Sequence, residues 1–63
     1  MEKIMKFIIK VVIKEYGKEI EILHAKFQCS GDALQYLYFM KNDKRIFRLY
    51  ENKKFISQSR FDE

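Results

Sequence analysis

The fold is decided by residues 4–22, which read IMKFIIKVVIKEYGKEIEI. With a period of two, residues 4–14 place an entirely apolar set on one face and alternate lysine with isoleucine or valine on the other. With a helical period, the same lysines form a narrow basic stripe on an apolar cylinder. β-Branched residues dominate this stretch and lose rotamer freedom in a helix, so the sequence predicts a strand over residues 4–14.

The sequence also predicts how this strand pairs. A hairpin that turns at Tyr16-Gly17 would bring oppositely charged and apolar residues face to face, and each such pair contributes a few tenths to about 1 kcal/mol. The expected pairs are Lys14 with Glu19, Ile13 with Ile20, and Val11 with Ile22. Beyond this point the apolar residues move to the other face of the second strand, so a β-bulge or bend is expected near Ile22-Leu23.

Residues 33–41 fit either a helix or a strand. Asp32, followed three residues later by Gln35, is typical of a helix cap. A helix here would be apolar on every side, however, whereas a strand would separate two faces. The strand would place Leu34, Tyr36, Tyr38 and Met40 on the core side, and Leu37 and Phe39 on the outward side. The sequence therefore favours a strand over residues 33–41, paired with a returning strand over residues 44–50.

Turn residues recur near positions 17, 31, 42 and 52 and divide the chain into about five short strands, the last over residues 53–60. We expect an all-β fold, a small antiparallel meander that forms a curved sheet or open barrel, as a single domain of residues 1–63. With a helix at 33–41 the fold would instead be α+β, in the order ββαββ. The core of so short a chain is marginal, so a homodimer is an open alternative to a monomer.

The sequence offers few groups for catalysis. Cys29 is the one cysteine and His24 the one histidine, which excludes an internal disulfide and a structural zinc site of Cys and His. They are five residues apart, so in a regular strand they point to opposite faces and cannot form a nucleophile–base pair. The only glycines, Gly17 and Gly31, form no phosphate-binding loop. We therefore expect no enzymatic activity, no cofactor, no metal and no small-molecule substrate.

Composition indicates a cytoplasmic protein with no membrane partner. A single cysteine suits a reducing compartment. Lys6, Lys10 and Lys14 interrupt the first apolar run, which falls short of the roughly 20 residues needed to cross a bilayer. Abundant Lys, Ile, Phe, Tyr and Asn, with no proline, suit an AT-rich genome such as that of a virus or a mobile element.

Positive charge is concentrated in residues 41–60, where seven basic and two acidic residues give a net charge of +5, against +4 for the whole chain. Aromatic rings are interleaved with these cations, which is typical of surfaces that bind nucleic acid. In the favoured register Phe47 and Leu49 face the core with Arg45 at its margin, while the other face is basic and aromatic. The predicted binding residues are Phe39, Lys41, Lys44, Arg48, Tyr50, Lys53 and Lys54.

The sequence favours, by a small margin, a non-enzymatic protein whose 41–60 surface binds nucleic acid. The alternative is a protein-interaction module, such as an inhibitor, adaptor or subunit, that docks on an acidic surface of a larger protein. Exposed edge strands and outward apolar residues at Leu37, Phe39 and Ile46 support that alternative. The sequence shows neither a ribonucleoprotein motif nor a helix-turn-helix signature, so no motif decides between nucleic acid and a protein partner.

Overall fold

The structure, a computed structural model, describes residues 5–60. Its elements are β1 (Phe7–Glu15), β2 (Lys18–Phe27), α1 (Ser30–Phe39), β3 (Ile46–Glu51) and β4 (Lys54–Gln58). The strands form one antiparallel sheet in the order β2-β1-β3-β4, open at both edges. The fold is therefore mostly β, as expected, and its element order is the alternative ββαββ. Residues 1–4 and 61–63, including the predicted strand start at Ile4, lie outside the described residues.

The β1–β2 hairpin has the predicted register. The observed pairs are Lys14 with Glu19, Ile13 with Ile20, and Val11 with Ile22. The turn residues Tyr16 and Gly17 have φ angles of 52° and 78°. A two-residue hairpin turn requires this left-handed conformation because its backbone twist then matches that of the flanking strands. Local turn chemistry and cross-strand pairs were therefore sufficient to predict this unit.

A β-bulge interrupts β2 at His24, one residue beyond the predicted Ile22-Leu23. The pairs on either side of it are Ile9 with Ala25 and Lys10 with Leu23. The extra residue turns its side chain toward the helix side of the sheet, where the His24 ring lies 4.9 Å from the ring of Phe47. The bulge therefore shifts the alternation of β2 by one residue, so that Ala25 and Phe27 lie on the same face of the sheet as Ile20 and Ile22.

Residues 33–41 are mostly helical, so the favoured strand there is wrong, and the expected pairing with residues 44–50 does not form. α1 buries Ala33 and Leu37 against the sheet, which also corrects the outward assignment of Leu37. The helix forms despite apolar side chains on every side, because one face of β1 and β3 is apolar and needs a cover. The β2–β3 connection supplies that cover. Three large apolar residues of the helix stay exposed, namely Leu34, Tyr38 and Phe39.

The core lies between α1 and one face of the sheet. Alternate residues of β1 and β3 point to this face. The buried residues are Phe7, Ile9, Val11, Ala33, Leu37, Phe47 and Leu49. Phe47 and Leu49 thus face the core as predicted, and the guanidinium carbon of Arg45 lies at its margin, 5.1 Å from the centroid of the Phe47 ring. Within residues 5–60, no element covers the opposite face of the sheet.

The β1–β2 hairpin projects beyond the rest of the sheet. β3 begins at Ile46 and pairs with β1 only from Phe7 to Val12, whereas β1 continues to Glu15. Residues 13–20, the projecting hairpin, therefore have no third strand beside them. The described residues extend 43 Å along their longest axis. Lys44 and Arg45, at the end of the loop of residues 40–45, line the notch where β1 passes the end of β3.

Candidate functional site

The seven residues predicted to form one binding surface lie in three separate places. The replacement of a strand by α1 at 33–41 is the cause, because α1 lies on the core face while the outward residues of β3 lie on the other face. The three groups are Phe39, Lys41 and Lys44 near the end of α1, Arg48 and Tyr50 on the uncovered sheet face, and Lys53 and Lys54 at the β3–β4 turn.

Arg48 and Tyr50 belong to an ion-pair network on the uncovered sheet face. Arg48 Nη1 donates to Glu21 Oε2 at 2.6 Å, and its Nη2 lies 3.4 Å from Glu19 Oε1. The Tyr50 hydroxyl donates to the same Glu21 oxygen at 2.7 Å. Hydrogen bonds from Tyr50 and Arg48 lower the pKa of Glu21, and burial together with the bond to Glu21 raises the pKa of Tyr50. Two carboxylates of the fold therefore already balance the charge of Arg48.

Lys53 and Lys54 lie at the opposite end of β3 from Lys44. Their turn is fixed by Asn52, whose φ of 59° is left-handed and whose N–H donates to the Lys6 carbonyl at 2.8 Å. Both lysines are exposed. Lys54 is the register partner of Glu51, although the Glu51 carboxylate pairs with Lys6 Nζ at 3.3 Å.

A third surface combines exposed rings with lysines around the loop of residues 40–45. Tyr38 and Phe39 are 64% and 68% exposed. Lys41 Nζ lies 4.1 Å from the centroid of the Tyr38 ring. Lys14 and Lys44 line a groove of about 410 Å³ in the notch between β1 and β3. Lys14 and Lys44 therefore flank the loop on its β1 side, and Tyr38 and Lys41 flank it on its α1 side. We call these four residues, with Phe39, the loop surface.

The loop is held in shape by an ion pair of its own. Asp43 accepts hydrogen bonds from the backbone N–H of Arg45 at 2.9 Å, and from Nε and Nη2 of its guanidinium at 3.1 and 3.0 Å. These bonds lower the pKa of Asp43 to about 2. The carbonyl of Asp43 also accepts from Arg60 Nη1 at 3.2 Å. Because Asp43 and Arg45 neutralise each other, the positive charge of the loop is that of Lys41 and Lys44.

Lys14 joins this surface although the sequence assigned it to Glu19. The two residues are register partners as predicted, but the Glu19 carboxylate contacts Arg48 instead. Among residues 5–60, the ammonium groups of Lys14, Lys41 and Lys44 have no carboxylate within ion-pair distance. Sequence reasoning missed Lys14 and Tyr38, because their exposure depends on where β3 begins and on α1, which are both tertiary features.

The arrangement suits binding to a polyanion that carries flat rings. Lysine ammonium groups without a carboxylate partner attract phosphates, and exposed aromatic rings stack on bases. Groups suited to other chemistry are dispersed. His24 Nε2 lies 2.6 Å from the hydroxyl of Tyr36, whereas Cys29 Sγ donates to Asp32 at 3.1 Å.

Two further observations concern residues 5–60 alone. In this part of the chain, no three His, Cys, Asp or Glu side chains lie together as a metal site would need. It also contains no helix long and apolar enough to cross a membrane. Comparisons with protein-family models, curated proteins and solved structures found no match.

Proposed function

We propose that this chain is a non-enzymatic protein that binds nucleic acid through the loop surface. One observation carries the proposal: α1 ends on two strongly exposed rings, Tyr38 and Phe39, and Lys41 Nζ lies 4.1 Å from the Tyr38 ring. Lys44 follows in the same loop, and neither lysine has a carboxylate partner in the described chain. Exposed rings of this size are costly for so small a domain. Burial of each would stabilise the fold by about 1.5–3 kcal/mol.

The lysines of the loop surface are available to phosphates, because no acidic side chain of the described chain pairs with them. Each lysine that neutralises a phosphate releases condensed counterions, which contributes binding free energy at low salt. Arg48 is less suited to this role because Glu19 and Glu21 compensate it. Lys53 and Lys54 lie at the far end of β3 and form no part of the proposed interface, which changes the residue set expected from the sequence.

Two double variants with the same change in net charge test the proposal. Lys41→Gln/Lys44→Gln removes two lysines of the loop surface, and Lys53→Gln/Lys54→Gln removes two at the other end of the sheet. Binding to labelled 20-nucleotide DNA and RNA is measured by fluorescence anisotropy in 50 mM salt. We expect the first variant to lose at least about 10-fold in affinity and the second less than about 3-fold.

Two results would overturn this proposal. One is the absence of binding by the unmodified chain in 50 mM salt. The other is an equal loss in both double variants, which would mean that only overall charge attracts the nucleic acid. The proposed activity belongs in the cytosol, because an exposed free cysteine, Cys29, suits a reducing compartment. Origin from a virus or mobile element is part of the same proposal, supported only by composition.

A protein partner is the second candidate, and a specific observation favours it. Ile13, Ile20 and Ile22 are exposed on the helix-side face of the hairpin, beyond the reach of α1. A contiguous apolar patch is typical of an interface with another protein. In a homodimer the same patch would be buried. Sedimentation equilibrium of the chain and of its Ile20→Lys variant tests the homodimer. A dimer that is lost in the variant supports the homodimer, and a monomer at all concentrations contradicts it.

A further inference from the structure

We infer that the ligand of the loop surface is single-stranded nucleic acid, with an unpaired base stacked on Phe39 and another on the open face of Tyr38. This inference rests on the proposed function and specifies its ligand. The carrying observation is the exposure of both rings at the end of α1, away from the core. In a duplex the bases are already stacked on each other, whereas a single strand presents their flat faces to protein rings.

The residue types of α1 do not suit the recognition of base pairs in a duplex. A helix in the major groove contacts base edges with Arg, Lys, Asn or Gln side chains. α1 spans ten residues, Ser30–Phe39, and contains no Arg, Lys or Asn and a single Gln. Its first turn carries Asp32, which would repel the phosphates on either side of the groove. Its large exposed residues are instead apolar or aromatic, at Leu34, Tyr38 and Phe39.

The two rings serve two different bases. Adjacent residues on a helix point about 100° apart, so Tyr38 and Phe39 cannot stack on the same base. Lys41 Nζ, 4.1 Å from the Tyr38 centroid, occupies one face of that ring and leaves a cation close to the phosphate of the stacked nucleotide. Phe39 has no such cation among the described residues and is 68% exposed, so most of the residue is open to a ligand.

A groove beside Tyr38 adds polar contacts to the stacking. It measures about 230 Å³ and lies between α1 and β4. Leu34 and Tyr38 form its apolar wall, and Lys41 and Ser57 are among the polar residues that line it. A base that stacks on Tyr38 would therefore meet donors and acceptors at its edge. Such contacts hold a flexible strand in place without demanding one sequence.

The test compares a labelled dT20 strand with a 20-base-pair duplex in 50 mM salt. We expect the single strand to bind at least about 10-fold more tightly. Phe39→Ala should weaken single-strand binding by roughly 5- to 100-fold, the loss of one stacked base, and change duplex binding by less than about 2-fold. Phe39→Leu keeps the apolar bulk without the aromatic face and should lose nearly as much. Leu23→Ala, an exposed apolar residue of β2 that lies outside the loop surface and its grooves, is the control and should change little.

The outcomes separate this inference from the function on which it rests. Duplex binding equal to or tighter than single-strand binding, still sensitive to Lys41→Gln/Lys44→Gln, would overturn the single-strand inference and keep the function. Single-strand binding that is unchanged by Phe39→Ala would overturn the stacking on Phe39. Failure of the chain to bind either ligand would overturn both. Phe39 is 68% exposed and is not a residue of the buried core, and thermal melting verifies that its variants fold.

Discussion

Arg48 Nη1 lies 2.6 Å from Glu21 Oε2, and this ion pair joins β3 to β2 across the central strand β1. Tyr50 donates to the same carboxylate oxygen. Val12, a residue of β1 on this uncovered face, has Glu21 and Ile46 as its register partners and is only 7% exposed. The polar network therefore lies on the sheet face that no helix covers. We infer that Arg48 stabilises the fold rather than binding a ligand.

Removal of the shared carboxylate should destabilise the domain. Glu21→Ala removes the acceptor that Arg48 and the Tyr50 hydroxyl share, and leaves Arg48 only its 3.4 Å contact with Glu19. We expect a loss of about 1–3 kcal/mol in the free energy of unfolding. Urea unfolding monitored by circular dichroism measures it. Glu19→Ala is the control. It should cost less than about 1 kcal/mol, because the Glu19 side chain is 48% exposed and its carboxylate lies 3.4 Å from Arg48. Equal losses in the two variants would contradict this account of the network.

The same carboxylate predicts a dependence of stability on pH. Hydrogen bonds from Tyr50 and Arg48 hold the pKa of Glu21 below its ordinary value of 4.5. The unfolded chain therefore binds a proton at Glu21 more readily, so its stabilising contribution is present above pH 4.5 and is lost as pH falls through the folded-state pKa. Comparison with Glu21→Gln isolates this contribution. The stability difference between the two proteins should be larger at pH 7 than at pH 3, and a difference independent of pH would contradict the prediction.

The two glycines should respond to alanine in opposite ways. Gly17 has a φ of 78° in the hairpin turn, so Gly17→Ala should destabilise the protein by about 1–2 kcal/mol. Gly31 lies in α1, and a methyl group there meets no atom within 4 Å. Gly31→Ala should be neutral or stabilise by up to about 1 kcal/mol. Thermal melting of both variants is the measurement, and tolerance of alanine at Gly17 would contradict the turn geometry.

Two leucines of α1 test whether residues 33–41 are helical. Leu37 is buried against the sheet, whereas Leu34 is exposed. Leu37→Ala should cost about 2–5 kcal/mol, and Leu34→Ala less than about 1 kcal/mol. A strand would reverse the ranking, because the strand register assigned Leu34 to the core and Leu37 to solvent. Urea unfolding of the two variants therefore distinguishes the two structures.

The sequence predicted the parts of the fold that depend on local interactions. The register of the β1–β2 hairpin follows from a two-residue turn at Tyr16-Gly17 and from matched neighbours such as Ile13 and Ile20. The helix at 33–41 could not be chosen in the same way, because apolar residues occur at both periods. Its formation depends on the apolar face of β1 and β3, which only the assembled sheet creates.

The candidate site was predicted in part for the same reason. Phe39, Lys41 and Lys44 remain in it because a continuous piece of chain brings them together at the end of α1. Arg48 is not part of the site, because Glu21, which is 27 residues away in sequence, contacts its guanidinium across β1. Lys14 is part of the site, because the pairing of β1 with β3 does not extend beyond Val12. Long-range pairing of this kind leaves no pattern in a single sequence.

The salt dependence of binding to dT20 tests the central claim most directly. We expect Lys14, Lys41 and Lys44 each to neutralise one phosphate of the single strand. The slope of log affinity against log salt concentration should then be about −2. Lys44→Gln should reduce the slope by about 0.7, and Lys53→Gln should leave it unchanged. A slope near zero, or a slope that Lys53→Gln reduces and Lys44→Gln does not, would contradict nucleic-acid binding by the loop surface.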